Sequence, residues 1–132
     1  LKTVLESLSF QNDFFDAVLS LETLEHTPKP IVLLKEFYRV LKPKGLIFIT
    51  VRKRKFRTFY PERTILEKYG KQKTSYKVIG LRTYAPVEGG EEGLFHYLFN
   101  KELLRKEFKK FKISNIWVDT SGRHYCLLGE LK

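Results

Sequence analysis

The residues best suited to chemistry stand behind one apolar run. Phe14 to Leu21 leads into Ser20-Leu21-Glu22, and His26 follows four residues later. An imidazole titrates near neutrality, so His26 can act as a general base that takes a proton from a bound acceptor. Its blander job would be to pack or hydrogen-bond at the start of the next helix. The three histidines, 26, 96 and 124, show no metal-ligand spacing. Cys126 is the only cysteine, so no metal site is expected and an intrachain disulfide is excluded. A lone thiol fits a reducing compartment, and a cytoplasmic location is expected.

Charge gives the second chemical signal. The net charge is +10, and eleven Lys or Arg between Arg52 and Arg82 face only Glu62 and Glu67. The basic character therefore belongs to one segment, with Phe56, Phe59, Tyr60, Tyr69, Tyr76 and Tyr84 in or beside it. Basic groups interleaved with aromatic rings suit RNA or another polyanion. A solvated loop whose rings pack among themselves is the plainer alternative.

These residues need elements to position them. Phe14 to Leu21 reads as a strand buried on both faces. Leu34, Phe37, Tyr38 and Leu41 lie at helical spacing, opposite Lys35, Glu36, Arg39 and Lys42, which predicts an amphipathic helix from about Ile31 to Leu41. Lys42-Pro43-Lys44-Gly45 should end it, with Gly45 free to take a positive φ. Leu46 to Val51 is the second buried strand. Strand, helix and strand joined by short links predict a parallel crossover in a layered α/β domain.

Further on, Pro61 to Tyr69 has the content of a short helix and Tyr76 to Tyr84 that of a strand, while Val87 to Gly93 reads as a loop. Asn100 should cap a helix running to about Phe111. Ile113 to Asp119 and His124 to Leu131, separated by Thr120-Ser121-Gly122-Arg123, form a hairpin whose last strand is antiparallel.

Several of these stretches together resemble a known family. They are Ser7-Leu8-Ser9-Phe10, Asn12-Asp13, Phe15-Asp16-Ala17-Val18, Leu24-Glu25-His26 and Arg39-Val40-Leu41-Lys42-Pro43-Lys44-Gly45. In that order and spacing they resemble the middle of class I S-adenosylmethionine-dependent methyltransferases, closely over Val4 to Val51. The fold this implies is α/β: a partial Rossmann-like methyltransferase sheet, strands four to seven, the last antiparallel, with flanking helices. Residues 1–132 then make a single partial domain, and residues 52–97 a basic, aromatic lid over the substrate. Lys44-Gly45 replaces the family's usual Gly-Gly.

The resemblance also implies a site. Backbone groups of Val4 and Leu5 would meet the adenine, Val4 standing where the family usually has Asp. Ser20, Leu21 and Glu22 would line the pocket near the methionine part of S-adenosylmethionine, at the strand end where open α/β sheets bind ligands. Arg52, Arg54, Tyr84, His96 and Tyr97 would face the methyl acceptor, with His26 as its base. The glycine-rich strand-turn-helix of the family is not in this sequence, and Gly89, Gly90 and Gly93 follow no such pattern. The first strand would then become a sheet edge that recruits a partner, either a second copy or a separate N-terminal half. Methyl transfer to a small or polyanionic acceptor is the expected function. The alternative is a non-catalytic, truncated relative that binds a partner chain or RNA through its basic segment. No stretch approaches the roughly 20 apolar residues needed to span a membrane.

Overall fold

The computed structural model describes residues 5, 7–27, 29–53, 57–59, 64–69, 72–80, 83–88 and 96–132. Strand β1 (Phe15–Leu21) leads through a single 3-10 turn at Leu24–His26 into helix α1 (Pro30–Val40) and strand β2 (Leu41–Arg52). Five short strands follow: β3 (Arg57–Phe59), β4 (Thr64–Tyr69), β5 (Gln72–Gly80), β6 (Thr83–Glu88) and β7 (His96–Tyr97). Helix α2 (Lys101–Glu107) and strands β8 (Phe111–Val118) and β9 (His124–Leu131) complete the order.

The strands form two sheets. In the first the order is β1-β2-β9-β8, with β1 and β2 parallel and the other pairs antiparallel. This is the expected crossover unit plus a terminal hairpin, and β9 inserts beside β2. The second sheet is an antiparallel meander in the order β3-β4-β5-β6-β7. Thr64–Tyr69 is therefore a strand and not the helix that Pro61 to Tyr69 predicts. Its β-branched Thr64 and Ile65 pair across to Lys77 and Tyr76, and ladder bonds outweigh a weak local helix preference. The Tyr76 to Tyr84 strand divides between β5 and β6. Of the loop expected at Val87 to Gly93, Val87 and Glu88 end β6 and the rest lies outside the described residues.

Both helices cover the same face of the first sheet. Leu33, Leu34 and Phe37 of α1 and Leu104 of α2, with Phe108 just after it, bury against Ile47, Ile49, Val51 and Leu127. Burying each such side chain contributes about 1.5–3 kcal/mol. Tyr38 joins the helices, its hydroxyl donating to the Glu107 carbonyl at 2.9 Å, and burial pushes its phenol up to about 12. The side chain of Asn100 caps α2 as expected, accepting from the Leu103 N–H at 2.8 Å. This helix stops at Glu107, because Phe111 reaches the core from the start of β8.

The opposite face differs from expectation. Ser20 and Val18 turn toward the helices, but Leu19 is 66% and Leu21 53% exposed, so β1 is buried on one face only. Leu46 and Leu128 extend this uncovered apolar strip along the register Leu19, Phe48, Leu128. Among the described strands β1 pairs with β2 alone, which makes it the sheet edge.

The link after α1 also departs from the sequence reading. Phe15 pairs with Leu41 but Ala17 with Leu46, so Lys42 to Gly45 form an irregularity at the start of β2. The residue with positive φ is Lys44, at 66°, and not Gly45. Gly45 serves a different purpose: a Cβ there would lie 2.8 Å from the Lys42 carbonyl oxygen and 2.9 Å from Leu41 Cδ2. Across this link Lys42 Nζ bonds Asp16 Oδ1 at 2.9 Å and holds that carboxyl below its ordinary range.

Candidate cofactor and acceptor site

The carboxyl ends of β1 and β2 bring the central candidates together. Glu22 takes a positive φ of 47°, and its N–H is held by the Thr50 carbonyl at 3.0 Å. This contact carries the chain off β1 while keeping it tied to β2. The turn at Leu24–His26 is fastened to the same place, since buried Glu25 accepts the Arg52 N–H. His26 Nε2 lies 3.9 Å from Glu25 Oε1, and its side chain is partly exposed beside the turn. The Ser20 hydroxyl oxygen is buried and finds no hydrogen-bond partner among the described residues.

A further pair of residues, absent from the sequence-derived set, completes this edge. His124 opens β9 opposite Arg52 and sits between two carboxylates. Its Nδ1 lies 2.7 Å from Asp119 Oδ2 and its Nε2 2.6 Å from Glu22 Oε1. Arg52 adds a guanidinium nitrogen 3.6 Å from the same Glu22 oxygen. Burial opposes charge on His124, but the bonds to Asp119 and Glu22 more than offset it and hold the imidazole above its ordinary value. The His124 bond drives the Asp119 carboxyl far below the usual carboxylate range, helped by the Ser121 hydroxyl and backbone N–H groups. Asp119 and His124 flank a turn and sit five residues apart, a local signal the sequence does carry. Their junction with Glu22 spans 102 residues and leaves no such signal.

The remaining candidates divide. Arg52 is largely buried and engaged with Glu22, which limits its part in meeting an external anion. Tyr84 and His96 fall opposite one another in the pairing of β6 with β7, and Thr83 opposes Tyr97. Tyr97 packs on Phe99 with ring centres 5.2 Å apart, and β7 lies against the Leu24–His26 turn. Leu5 is described and exposed, whereas Val4 and Arg54 lie outside the described residues.

The approach to β1 is held by one guanidinium. Arg39 Nη2 donates to the Leu8 carbonyl at 2.9 Å and Nη1 to the Phe10 carbonyl at 2.7 Å. Glu36 pairs with Arg39 at 2.7 Å and accepts the Leu8 N–H at 2.8 Å. The two residues thus grip both backbone polarities of one short stretch, and Arg39 holds the Glu36 carboxyl low.

A Rossmann-like α/β sheet with a polar cluster at its carboxyl edge defines the class of molecule. Comparison with known proteins narrows it. Residues 1–49 match the family described as methyltransferase domain. A ubiquinone biosynthesis O-methyltransferase from Parvibaculum lavamentivorans is 38% identical over 47 residues, which is 36% of this chain and 19% of that protein. Two solved structures are similar in fold. The 1,6-didemethyltoxoflavin-N1-methyltransferase of Burkholderia thailandensis, bound to 1,6-didemethyltoxoflavin and S-adenosylhomocysteine, has a TM-score of 0.61 at 16% identity, covering 97% of this chain and 48% of its own. A protein described as a methyltransferase, in complex with the Haloferax volcanii Trm112 methyltransferase activator, has a TM-score of 0.62 at 14% identity, covering 99% and 60%. Residues 1–49 are thus similar to a methyltransferase domain, and the fold built on them is Rossmann-like, resembling that of the two solved methyltransferases. The chain spans a fifth to three fifths of the length of these relatives. No described helix is long and apolar enough to cross a membrane.

Proposed function

We propose that these residues form the acceptor-side half of an S-adenosylmethionine-dependent methyltransferase, completed by an N-terminal half that lies outside this sequence. The observation that carries the reading is the convergence of Ser20, Glu22, Glu25 and His26 at the end of β1, inside the matched segment. A buried hydroxyl without a partner among the described residues, together with nearby carboxylates, suits the cationic methionyl end of the cofactor. When bound, S-adenosylmethionine supplies a methyl group already activated on a sulfonium, so orientation and exclusion of water are the protein's main tasks.

Leu21 and Glu22 would line the cofactor's methionine portion, and Val4 and Leu5 its adenine. His26 would accept the proton released by the acceptor, at the mouth of the pocket. Residues 52–97 would cover the acceptor, with Arg54, Tyr84, His96 and Tyr97 facing it and Arg52 anchoring the lid's start. The net charge favours an acceptor that is polyanionic, RNA included, or a small molecule bearing negative charge. The uncovered strip at Leu19 and Leu21 would receive the N-terminal half. A cytoplasmic setting suits a chain whose one cysteine is a buried thiol.

Calorimetric titration with S-adenosylhomocysteine tests this reading. Binding is expected when the chain is joined to a glycine-rich N-terminal half, and no binding to the joined protein would overturn it. A second reading is favoured by the uncovered sheet face, a non-catalytic module that docks to a partner chain and holds RNA through its basic segment. It predicts salt-sensitive retention on RNA without cofactor affinity in any assembly.

A further inference from the structure

Three ionisable side chains from two distant parts of the sequence meet in a line at the carboxyl edge: Asp119 after β8 and His124 at the start of β9, with Glu22 at the end of β1. Carboxylates only accept hydrogen bonds, whereas a neutral imidazole has one N–H to give. Two carboxylate oxygens at 2.7 and 2.6 Å from the two ring nitrogens therefore call for two N–H donors, which is the imidazolium form. The ring is seated for this: Asp119 is itself fixed by the Ser121 hydroxyl at 2.8 Å and by the Arg123 N–H at 3.1 Å.

The far end of the line is one of three described non-glycine residues with a left-handed backbone. Glu22 holds a positive φ that side-chain-bearing residues seldom adopt. The Thr50 carbonyl and hydroxyl fix its N–H, and His124 fixes its carboxylate. We propose that His124 is a positioning residue whose doubly protonated ring clasps Glu22 to Asp119 and so sets the turn that lines the pocket, releasing it when the ring loses a proton. The link from this turn to cofactor binding rests on the methyltransferase reading.

Among the described residues, the groups facing the ring are Glu22 from β1, Asp119 from the end of β8 and, on β2, Arg52, whose guanidinium also reaches Glu22. Lys53 joins the Arg123 carbonyl beside them through its backbone N–H at 2.7 Å. Deprotonation of His124 therefore loosens Glu22 while the Arg52 guanidinium remains within reach of it. Burial alone would favour the neutral ring, and the two carboxylates reverse that preference.

The test follows imidazole nitrogens and backbone amides of the 132-residue chain by two-dimensional NMR between pH 5 and 9. The expected result is that His124 carries protons on both nitrogens beyond neutral pH and that the amides of Leu21, Glu22 and Thr23 move with its midpoint. Glu22→Gln and Asp119→Asn should each lower that midpoint, and agreement of the two guards against a variant that misfolds. An ordinary His124 titration with no response at Leu21 to Thr23 would overturn the clasp. S-adenosylhomocysteine titrations of the chain joined to an N-terminal half form the second arm, with affinity expected to fall about tenfold above the midpoint. Affinity that ignores pH while the amides respond would overturn the link to the pocket. Absence of binding at every pH, with the NMR result as expected, would sink the methyltransferase reading and leave the clasp standing.

Discussion

Glu22 Oε1 and His124 Nε2 lie 2.6 Å apart across 102 residues of chain, closing the carboxyl edge of the first sheet between its outer strand and its last. The stability of the fold should therefore follow two titrations in opposite directions. Asp119 is lowered on folding, so its contribution is present above the ordinary 3.8 and is lost as pH falls through the folded value. His124 is raised, so its contribution is complete below 6.5 and is lost as pH rises through the folded value. Urea midpoints measured across pH should peak between these limits, and His124→Gln should flatten the alkaline side.

The grip of Arg39 on the approach to β1 should be worth more than an exposed ion pair. Its side chain is 30% exposed, and its bonds reach the Leu8 and Phe10 carbonyls as well as Glu36. Arg39→Ala is expected to lower the midpoint of denaturant unfolding clearly. Arg39→Lys should recover less than half of that, because an ammonium lacks the planar fork that serves several oxygens at once.

Lys44 and Gly45 predict effects of opposite sign. Lys44 sits at φ 66° with its ammonium 3.9 Å from Glu130 on a highly exposed side chain. Lys44→Gly should gain about 0.5–1 kcal/mol by removing the strain on a left-handed residue. Gly45→Ala should lose about 2 kcal/mol, since its Cβ meets backbone oxygen and packed Leu41. Thermal melts of the two variants beside the parent chain check both signs.

Leu19 and Leu21 should govern association. Light scattering after size-exclusion chromatography at micromolar concentration is expected to detect self-association of the chain alone or capture of an N-terminal half. Leu19→Lys should weaken either outcome with little change in unfolding free energy, because Leu19 already faces solvent. A clean monomer that ignores the added half would remove the assignment of this edge.

Much of this architecture is legible in the sequence where periodicity and punctuation agree. Leu34, Phe37 and Tyr38 with the stop before Gly45 mark α1, and Asn100 marks the start of α2, because helical spacing and capping are local physics. Thr64–Tyr69 escaped because its ladder partner lies on β5, and no local pattern records a tertiary pairing. The exposure of Leu19 escaped for a related reason: an apolar run declares that it wants cover on both sides, not whether cover exists in the same chain. Of the site, the end of β1 was legible from motif order, whereas His124 and Asp119 required the sheet order that places β9 next to β2.

That sheet order also bears on how the protein is made. Because β9 lies between β2 and β8, residues 124–131 must leave the ribosome before either neighbour gains this partner. Until then the nascent chain holds a parallel pair whose β2 edge has no ladder partner, while β8 has no strand to join. Closure over so long a separation is slow. During synthesis the two sides of this sheet thus stay apart until residues 124–131 have been made.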